Sequence, residues 1–311
     1  MRAFIFPGQG SQAVGMGKAL AEASVAAREV FQEVDDALGQ NLYRLMTEGP
    51  EAELTLTENA QPAIMANAIA TLRVLEKEGG IRLADKADFV AGHSLGEYAA
   101  LCAADALDLA TTAQLLKTRG RAMQAAVPVG QGAMAVLLGM DFDAAREVAT
   151  AAAESEVCEA ANDNGGGQVV ISGHAGAIDR AIVIAKERGA KRAMTLPVSA
   201  PFHCSLMKPA AEAMAEALAA APLRAPLVPV YANVTAAPVA DPAMIRELLV
   251  RQVTGTVRWR ESVEAMFAAG VHDYVEFGGK VLGPMVRRIA PDATATSLVA
   301  MADIEALAKM L

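Results

Sequence analysis

Mostly apolar short runs and longer segments of helical periodicity alternate along the chain. The run at 3–6 shows no apolar-polar alternation, which is typical of a strand that is buried on both faces, and the runs at 88–91, 228–231 and 273–277 are also strand-like. Segments with apolar residues at helical spacing separate such runs: about 16–38, 60–78, 95–104, 109–126, 205–221, 241–253, 259–269 and 280–289. A short strand and helix are predicted at the end of the chain. Strands that alternate with helices predict a mainly parallel sheet covered on both faces.

The order of predicted strands and helices changes in the middle of the chain. Strand-like and helical segments there follow the order β-α-β-β-α-β: 133–138, 141–153, 157–161, 168–172, 175–188 and 190–196. This is the order of a ferredoxin-like unit. We therefore predict an α/β fold with one large domain formed by residues 1–127 and 198–311. A ferredoxin-like subdomain, residues 128–197, is inserted into it.

One short stretch, Gly92-His93-Ser94-Leu95-Gly96, lies between the predicted strand 88–91 and a helix that is nearly free of charge. The pattern Gly-x-Ser-x-Gly at a strand-to-helix corner is typical of a nucleophile elbow. The following helix directs its first N–H groups at the serine, where negative charge develops during attack on a carbonyl. The five-residue pattern also arises by chance in glycine-bearing loops. The context, with a strand before the corner and an apolar helix after it, argues against a chance match and supports Ser94 as a nucleophile.

A serine hydroxyl needs a base, and the chain has four histidines. His93 adjoins Ser94, but neighbouring side chains diverge at such a corner, whereas His174 and His272 begin a predicted helix and strand. His203 lies in a proline-bounded loop, and we favour it as the base over the alternative of an ordinary surface or core histidine. No acidic residue between 94 and 203 follows an obvious strand of the large sheet. We therefore expect a Ser-His dyad in which a backbone carbonyl orients the histidine.

Arg119 shares one face of the predicted helix 109–126 with leucines, whereas Lys117 and Arg121 lie elsewhere on that helix. A buried guanidinium needs a fixed anionic partner. Spacing alone leaves two interpretations open. One is an internal salt bridge to an Asp or Glu. The other is a bidentate clamp for a substrate carboxylate, which suits the planar fork of arginine better than lysine.

Composition narrows the class of protein. The 311 residues are 53% hydrophobic and 20% charged, with a formal net charge of −9. This predicts a substantial core and argues against a nucleic-acid binder, which needs a basic footprint. Three cysteines without paired spacing fit a reducing compartment and no zinc site. The first apolar run is too short for a signal peptide, and no run of about 18 uncharged apolar residues occurs. We therefore expect no membrane association and a cytoplasmic location.

A small basic cluster, Lys186, Arg188, Lys191 and Arg192, stands out on this acidic chain. Such a cluster is usually a solvated face. Here it is also a candidate dock for an acidic protein.

Three motifs together resemble the malonyl-CoA:acyl-carrier-protein transacylases of bacterial fatty acid synthesis, which are related to acyltransferase domains of polyketide synthases. They are Phe6-Pro7-Gly8-Gln9-Gly10-Ser11-Gln12, Gly92-His93-Ser94-Leu95-Gly96-Glu97 and Pro201-Phe202-His203. Each motif alone is weak, but the set, in this order and spacing, is specific. The resemblance covers residues 1 to about 300 and implies an α/β-hydrolase-like large domain with the ferredoxin-like insertion.

The resemblance also implies roles for single residues. Ser94 is the nucleophile and His203 its base. Arg119 matches the arginine that pairs with the malonyl carboxylate. Gln252 matches the residue whose carbonyl orients the histidine.

Two further positions, Gln9 and Leu95, match those whose backbone N–H groups form the oxyanion hole. Phe202, before the histidine, is the residue that goes with malonyl rather than branched units in polyketide relatives.

The implied reaction moves the malonyl group from malonyl-CoA to the phosphopantetheine thiol of acyl carrier protein through a malonyl-serine ester, with ping-pong kinetics. The coenzyme A thioester is the substrate, and no cofactor or metal is expected. A monomer is the working expectation for the oligomeric state. Three alternatives stay open: a stand-alone polyketide-pathway acyltransferase, a serine esterase or thioesterase, and a non-catalytic binding module.

Overall fold

The computed structural model describes all residues, 1–311. It contains ten strands: β1 (Arg2–Phe6), β2 (Phe89–Gly92), β3 (Gly132–Leu138), β4 (Cys158–Asp163), β5 (Gln168–His174), β6 (Arg192–Thr195), β7 (Val230–Ala232), β8 (Ala237–Val239), β9 (Asp273–Phe277) and β10 (Thr294–Leu298). Its helices are α1 (Lys18–Ala23), α2 (Val25–Leu38), α3 (Leu42–Glu48), α4 (Glu51–Thr55), α5 (Thr57–Lys77), α6 (Leu83–Lys86), α7 (Gly96–Ala103), α8 (Leu109–Ala126), α9 (Phe142–Ala153), α10 (Ala175–Glu187), α11 (Lys208–Ala220), α12 (Pro242–Thr254), α13 (Trp259–Ala268), α14 (Leu282–Ile289) and α15 (Met301–Met310). None of the helices combines the length and apolarity needed to cross a membrane.

Six strands form the large sheet, in the order β10-β9-β1-β2-β7-β8. All neighbours are parallel except β8, which runs antiparallel to β7 at one edge. Phe4 and Phe6 face one core and Ile5 faces another, so helices cover both sides of β1. The predicted mainly parallel, doubly covered sheet is confirmed. The carboxyl ends of its strands form one edge, where loops from distant parts of the chain meet.

A second, antiparallel sheet of four strands has the order β4-β5-β3-β6. Apolar residues of α9 and α10 pack with this sheet in a core of their own. The unit begins after α8 ends and finishes before the loop that contains His203. It therefore lies in the sequence between two parts of the larger sheet.

The sequence prediction of one helix over 16–38 is wrong, because Ser24 interrupts it in an extended conformation. The Ser24 Oγ accepts the N–H of Ala27 at 3.2 Å and so caps α2. Four short elements, β8, α3, α4 and α6, were not predicted, since each contains too few apolar positions to define a period.

Candidate active site

Ser94 lies at the sharp turn between β2 and α7, with φ of 55°. A Cβ on Gly92 would lie 1.9 Å from the backbone carbon and oxygen of Gly96. A Cβ on Gly96 would lie 2.2 Å from the carbonyl oxygen of Phe6 on β1. Both glycines are therefore required by close backbone contacts, and the corner has the strained geometry of a nucleophile elbow.

The structure brings Ser94 and His203 together, although 109 positions separate them. Their Oγ and Nε2 atoms are 2.7 Å apart, and His203 Nδ1 lies 2.9 Å from the backbone oxygen of Gln252. Because a carbonyl oxygen only accepts, Nδ1 holds the proton and Nε2 is left to accept the serine hydroxyl. His203 is 4% exposed. Burial, followed by the nearby Arg119 charge, lowers its pKa to about 3, so the imidazole is neutral and its Nε2 is free to accept a proton from the hydroxyl in contact with it.

Arg119 is 1% exposed and directs its fork at the same hydroxyl. Its Nη1 donates to Gln61 Oε1 at 2.7 Å, and its Nη2 donates to Gln252 Oε1 at 2.9 Å and to Ser94 Oγ at 3.1 Å. All three partners are neutral, so the internal salt bridge considered from the sequence is not formed. The ring of Tyr98 lies 5.6 Å below the guanidinium carbon. A buried cation beside the nucleophile, without a carboxylate in direct contact, suits an anionic substrate group.

Glu97 is the one carboxylate in this buried group and is 1% exposed. Its Oε2 accepts the backbone N–H of Asn233 at 3.0 Å and Nε2 of Gln252 at 2.8 Å. Burial raises the Glu97 pKa to about 7, while its two hydrogen-bond donors and Arg119 oppose the rise. The Gln252 side chain also donates to the backbone oxygen of Ser94 at 2.9 Å. Gln252 therefore contacts the serine, the arginine and, through its carbonyl, the histidine.

Asn233 is a site residue that the sequence analysis missed. It follows β7, the neighbour of β2 in the sheet, and its side chain binds the backbone on both sides of the elbow. Oδ1 accepts the N–H of Ser94 at 2.8 Å, and Nδ2 donates to the oxygen of Gly92 at 2.7 Å. The available signal was a polar residue directly after a strand, at the edge where parallel sheets form their sites.

Gln9 and Leu95 meet at the same edge, because Phe6 at the end of β1 pairs with Gly92 at the end of β2. The backbone N–H groups of Gln9 and Leu95 donate to no acceptor within the protein. The N–H of Ser94, in contrast, is occupied by Asn233. Two backbone donors at this edge are thus unpaired, and their role as an oxyanion hole stays a prediction.

His93 and Cys204, the neighbours of the dyad, are engaged elsewhere. The His93 side chain diverges from Ser94 and its Nε2 lies 2.8 Å from Asn164 Oδ1, on the loop between β4 and β5. The Cys204 thiol donates to the Pro201 oxygen at 3.2 Å, and burial raises its pKa to about 11, so it is no thiolate nucleophile. No group of three or more His, Cys, Asp or Glu side chains is arranged to hold a metal ion.

The acyl transferase domain family matches residues 3–278. The chain belongs to the acyl transferase family. It is 47% identical over 289 residues to the malonyl CoA-acyl carrier protein transacylase of Bacillus subtilis (strain 168), covering 92% of this chain and 90% of the relative. It is 45% identical over 297 residues to the protein of the same name from Escherichia coli (strain K12), covering 95% of each. The resemblance drawn from the three motifs is confirmed.

Solved structures of similar acyl transferases agree with the fold. The acyl-carrier-protein-S-malonyltransferase of Bartonella henselae superimposes with a TM-score of 0.97 at 53% identity, covering 99% of this chain and 98% of that chain. A malonyl-transacylase solved in complex with a holo type II PKS acyl-carrier protein superimposes with a TM-score of 0.96 at 39% identity, covering 100% and 99%.

Proposed function

We propose that this acyl transferase moves malonyl groups from malonyl-CoA to the phosphopantetheine thiol of an acyl carrier protein, and so supplies fatty acid synthesis. The observation that carries the proposal is the Arg119 fork, buried beside Ser94 Oγ with only neutral partners. A malonyl ester on Ser94 places its carboxylate within reach of that cation. The names of the relatives supply the same substrate and acceptor.

In the first half-reaction, His203 Nε2 takes the proton of Ser94 Oγ as the oxygen attacks the thioester carbonyl. The N–H groups of Gln9 and Leu95 stabilise the resulting oxyanion. The carbon–sulfur bond then breaks, and the proton on Nε2 passes to the departing sulfur of coenzyme A. Arg119 holds the malonyl carboxylate throughout, which orients the acyl group.

In the second half-reaction, His203 takes the proton of the pantetheine thiol, whose sulfur attacks the malonyl-serine ester. The carbon–oxygen bond to Ser94 breaks, and Nε2 returns the proton to Oγ. The Gln252 carbonyl holds Nδ1–H in both steps and stabilises the imidazolium that forms between them. Every atom and proton of the two half-reactions is thus accounted for by the two substrates and these residues.

For the fold, we propose the finer description that the resemblance implies. Residues 1–127 and 198–311 form an α/β-hydrolase-like catalytic domain, which is supported by the elbow between β2 and α7. Residues 128–197 form a ferredoxin-like subdomain, which is supported by the strand order β4-β5-β3-β6. The cytoplasmic location and the monomeric state stay predictions.

A carrier from a polyketide pathway is the second candidate acceptor, because one similar transacylase was solved with a type II PKS carrier protein. The chemistry is identical for the two carriers. Only the surface that meets the carrier distinguishes them. A serine esterase or thioesterase would use the same dyad but release free malonate.

The carrier is an acidic protein in this proposal, and the basic cluster is its candidate dock. Three members of the cluster are exposed and form no salt bridge: Lys186, Lys191 and Arg192. The fourth, Arg188, lies 3.7 Å from Glu147. The unpaired members are therefore available to carboxylates of a partner.

The proposed function is tested by mixing the enzyme with malonyl-CoA and measuring its intact mass. A malonyl adduct is expected on the wild-type enzyme and none on Ser94→Ala. A chase with holo fatty-acid carrier protein, with holo polyketide carrier protein and with buffer alone follows. Transfer to a carrier faster than loss of malonate in buffer supports the transferase, and the faster carrier identifies the pathway. Equal loss in all three samples would show a hydrolase instead.

A further inference from the structure

Two buried ionisable groups that take opposite charges, Arg119 and Glu97, lie in the site without contacting each other. Arg119 and Glu97 are both 1% exposed. The side-chain amide of Gln252 lies between them: its Oε1 accepts Arg119 Nη2 at 2.9 Å, and its Nε2 donates to Glu97 Oε2 at 2.8 Å. The three groups form a continuous chain from cation to anion.

Only one orientation of the Gln252 side-chain amide satisfies both of its charged neighbours. If the Gln252 amide were reversed, its NH₂ group would face the guanidinium donors and its oxygen would face the Glu97 carboxylate. Glu97, together with the Ser94 backbone oxygen and the Arg119 donors, therefore fixes the amide orientation in which Oε1 accepts from Arg119. Hydrogen bonds in series polarise one another, so the carboxylate acts on the guanidinium through the amide.

The indirect contact differs in effect from a salt bridge. A carboxylate bound directly to Arg119 would occupy the fork and exclude a substrate carboxylate. A buried cation without any counter-charge would strongly destabilise the folded protein. Because Glu97 contacts Arg119 only through Gln252, it stabilises the cation and leaves the hydrogen-bonding edge of the guanidinium facing Ser94. Burial raises the Glu97 pKa to about 7, and the Arg119 charge is the smallest of the three effects that oppose this rise, as expected for a contact that is not direct.

We propose that Glu97 is a positioning residue that offsets the Arg119 charge through the Gln252 amide, and thereby sets how strongly the site demands a carboxylate on the acyl group. This inference rests on the proposed function. With Glu97 ionised, the acyl carboxylate is a second negative charge in a buried space that holds one cation. Without the Glu97 charge, the same acyl carboxylate becomes the only counter-charge of Arg119.

Two isosteric exchanges test the proposal in opposite directions. Glu97→Gln removes the charge and leaves an oxygen that can accept from both Asn233 and Gln252. Gln61→Glu adds a carboxylate at the atom that now contacts Arg119 Nη1 at 2.7 Å. The double variant restores the original net charge of the site.

The measurement is kcat/KM for enzyme acylation by malonyl-CoA and by acetyl-CoA, made at least about one pH unit above the Glu97 pKa of about 7 so that the carboxylate is ionised. We expect the malonyl-to-acetyl ratio to rise at least about threefold in Glu97→Gln and to fall at least about threefold in Gln61→Glu. The ratio of the double variant should lie between those of the two single variants, because the added charge opposes the removed one but contacts Arg119 directly. A purely structural role would lower both rates in the same proportion and would not be rescued by the second exchange.

An unchanged or lowered ratio in Glu97→Gln overturns the proposal, and so does a double variant that stays as selective as Glu97→Gln. If Glu97→Gln does not fold, circular dichroism of the double variant decides: a folded double variant supports charge compensation, and an unfolded one refutes it. Failure of the proposed function is visible separately, because the wild-type enzyme would then form no malonyl-serine at all.

Discussion

Replacement of Arg119 by alanine removes the cation that we propose binds the malonyl carboxylate. The fork is held by Gln61 and Gln252, is shielded from water and has no carboxylate in direct contact, so its hydrogen-bonding edge is free of a competing anion before substrate binds. A hydrogen bond to a charged group contributes about 1.5–3 kcal/mol. A bidentate contact less the cost of desolvating the carboxylate then contributes about 3–4 kcal/mol to malonyl over acetyl selectivity.

The expected result for Arg119→Ala is a fall of about 10²–10³ in the ratio of kcat/KM for malonyl-CoA to that for acetyl-CoA. Single-turnover acylation, followed by intact mass, measures both rates. Arg121→Ala is the matched control on the same helix, since the Arg121 side chain is 66% exposed and pairs with Glu58. The control should keep the wild-type ratio. A ratio within about twofold of wild type in Arg119→Ala would refute the clamp and leave Arg119 a structural residue.

Three further predictions follow from the same geometry. Asn233→Ala leaves the backbone groups on both sides of the nucleophile unpaired, so we expect kcat for acylation to fall about 10–100-fold with little change in KM, measured by steady-state kinetics; an effect on KM alone would contradict this. Burial lowers the His203 pKa in the folded protein, so below about pH 6.5 only the unfolded chain takes up a proton at this residue. The free energy of unfolding therefore falls by up to about 1.4 kcal/mol per pH unit as the pH drops from about 6.5 towards 3. Urea unfolding of wild type and His203→Gln at pH 7, 5 and 4 should therefore show the steeper loss in the wild type, and parallel curves would be inconsistent with a buried neutral imidazole. Exchange of both Lys191 and Arg192 for Glu should lower transfer to holo carrier protein at least about fivefold while acylation by malonyl-CoA stays at the wild-type rate, since only carrier docking is affected; an unchanged transfer rate would remove this cluster from the interface.

Local sequence patterns determined much of the architecture. The helix predicted at 109–126 is α8 with the same bounds, because its apolar positions recur at helical spacing and Asp108 caps its first turn. The strands 88–91 and 273–277 appear as β2 and β9 within one residue. The elbow was visible because Gly92 and Gly96 are required by backbone contacts inside a single short segment.

Only the tertiary structure determined which side chains of the site contact one another. Periodicity placed Arg119 inward but left open whether a carboxylate neutralised it, and the fold shows Gln61, Gln252 and Ser94 as its partners. The choice of His203 among four histidines needed the motif resemblance as well as its position.

Asn233 and the link from Glu97 through Gln252 were missed. Asn233 lies 139 positions from Ser94, and the two meet because β7 and β2 are parallel neighbours that end side by side. Gln252 on α12 lies 155 positions from Glu97 on α7, and these two meet only through the packing of the helices around the sheet. Sequence spacing reports on neighbours within one turn or one strand. Contacts between loops of different strands depend on strand order, which the packing of the whole chain determines.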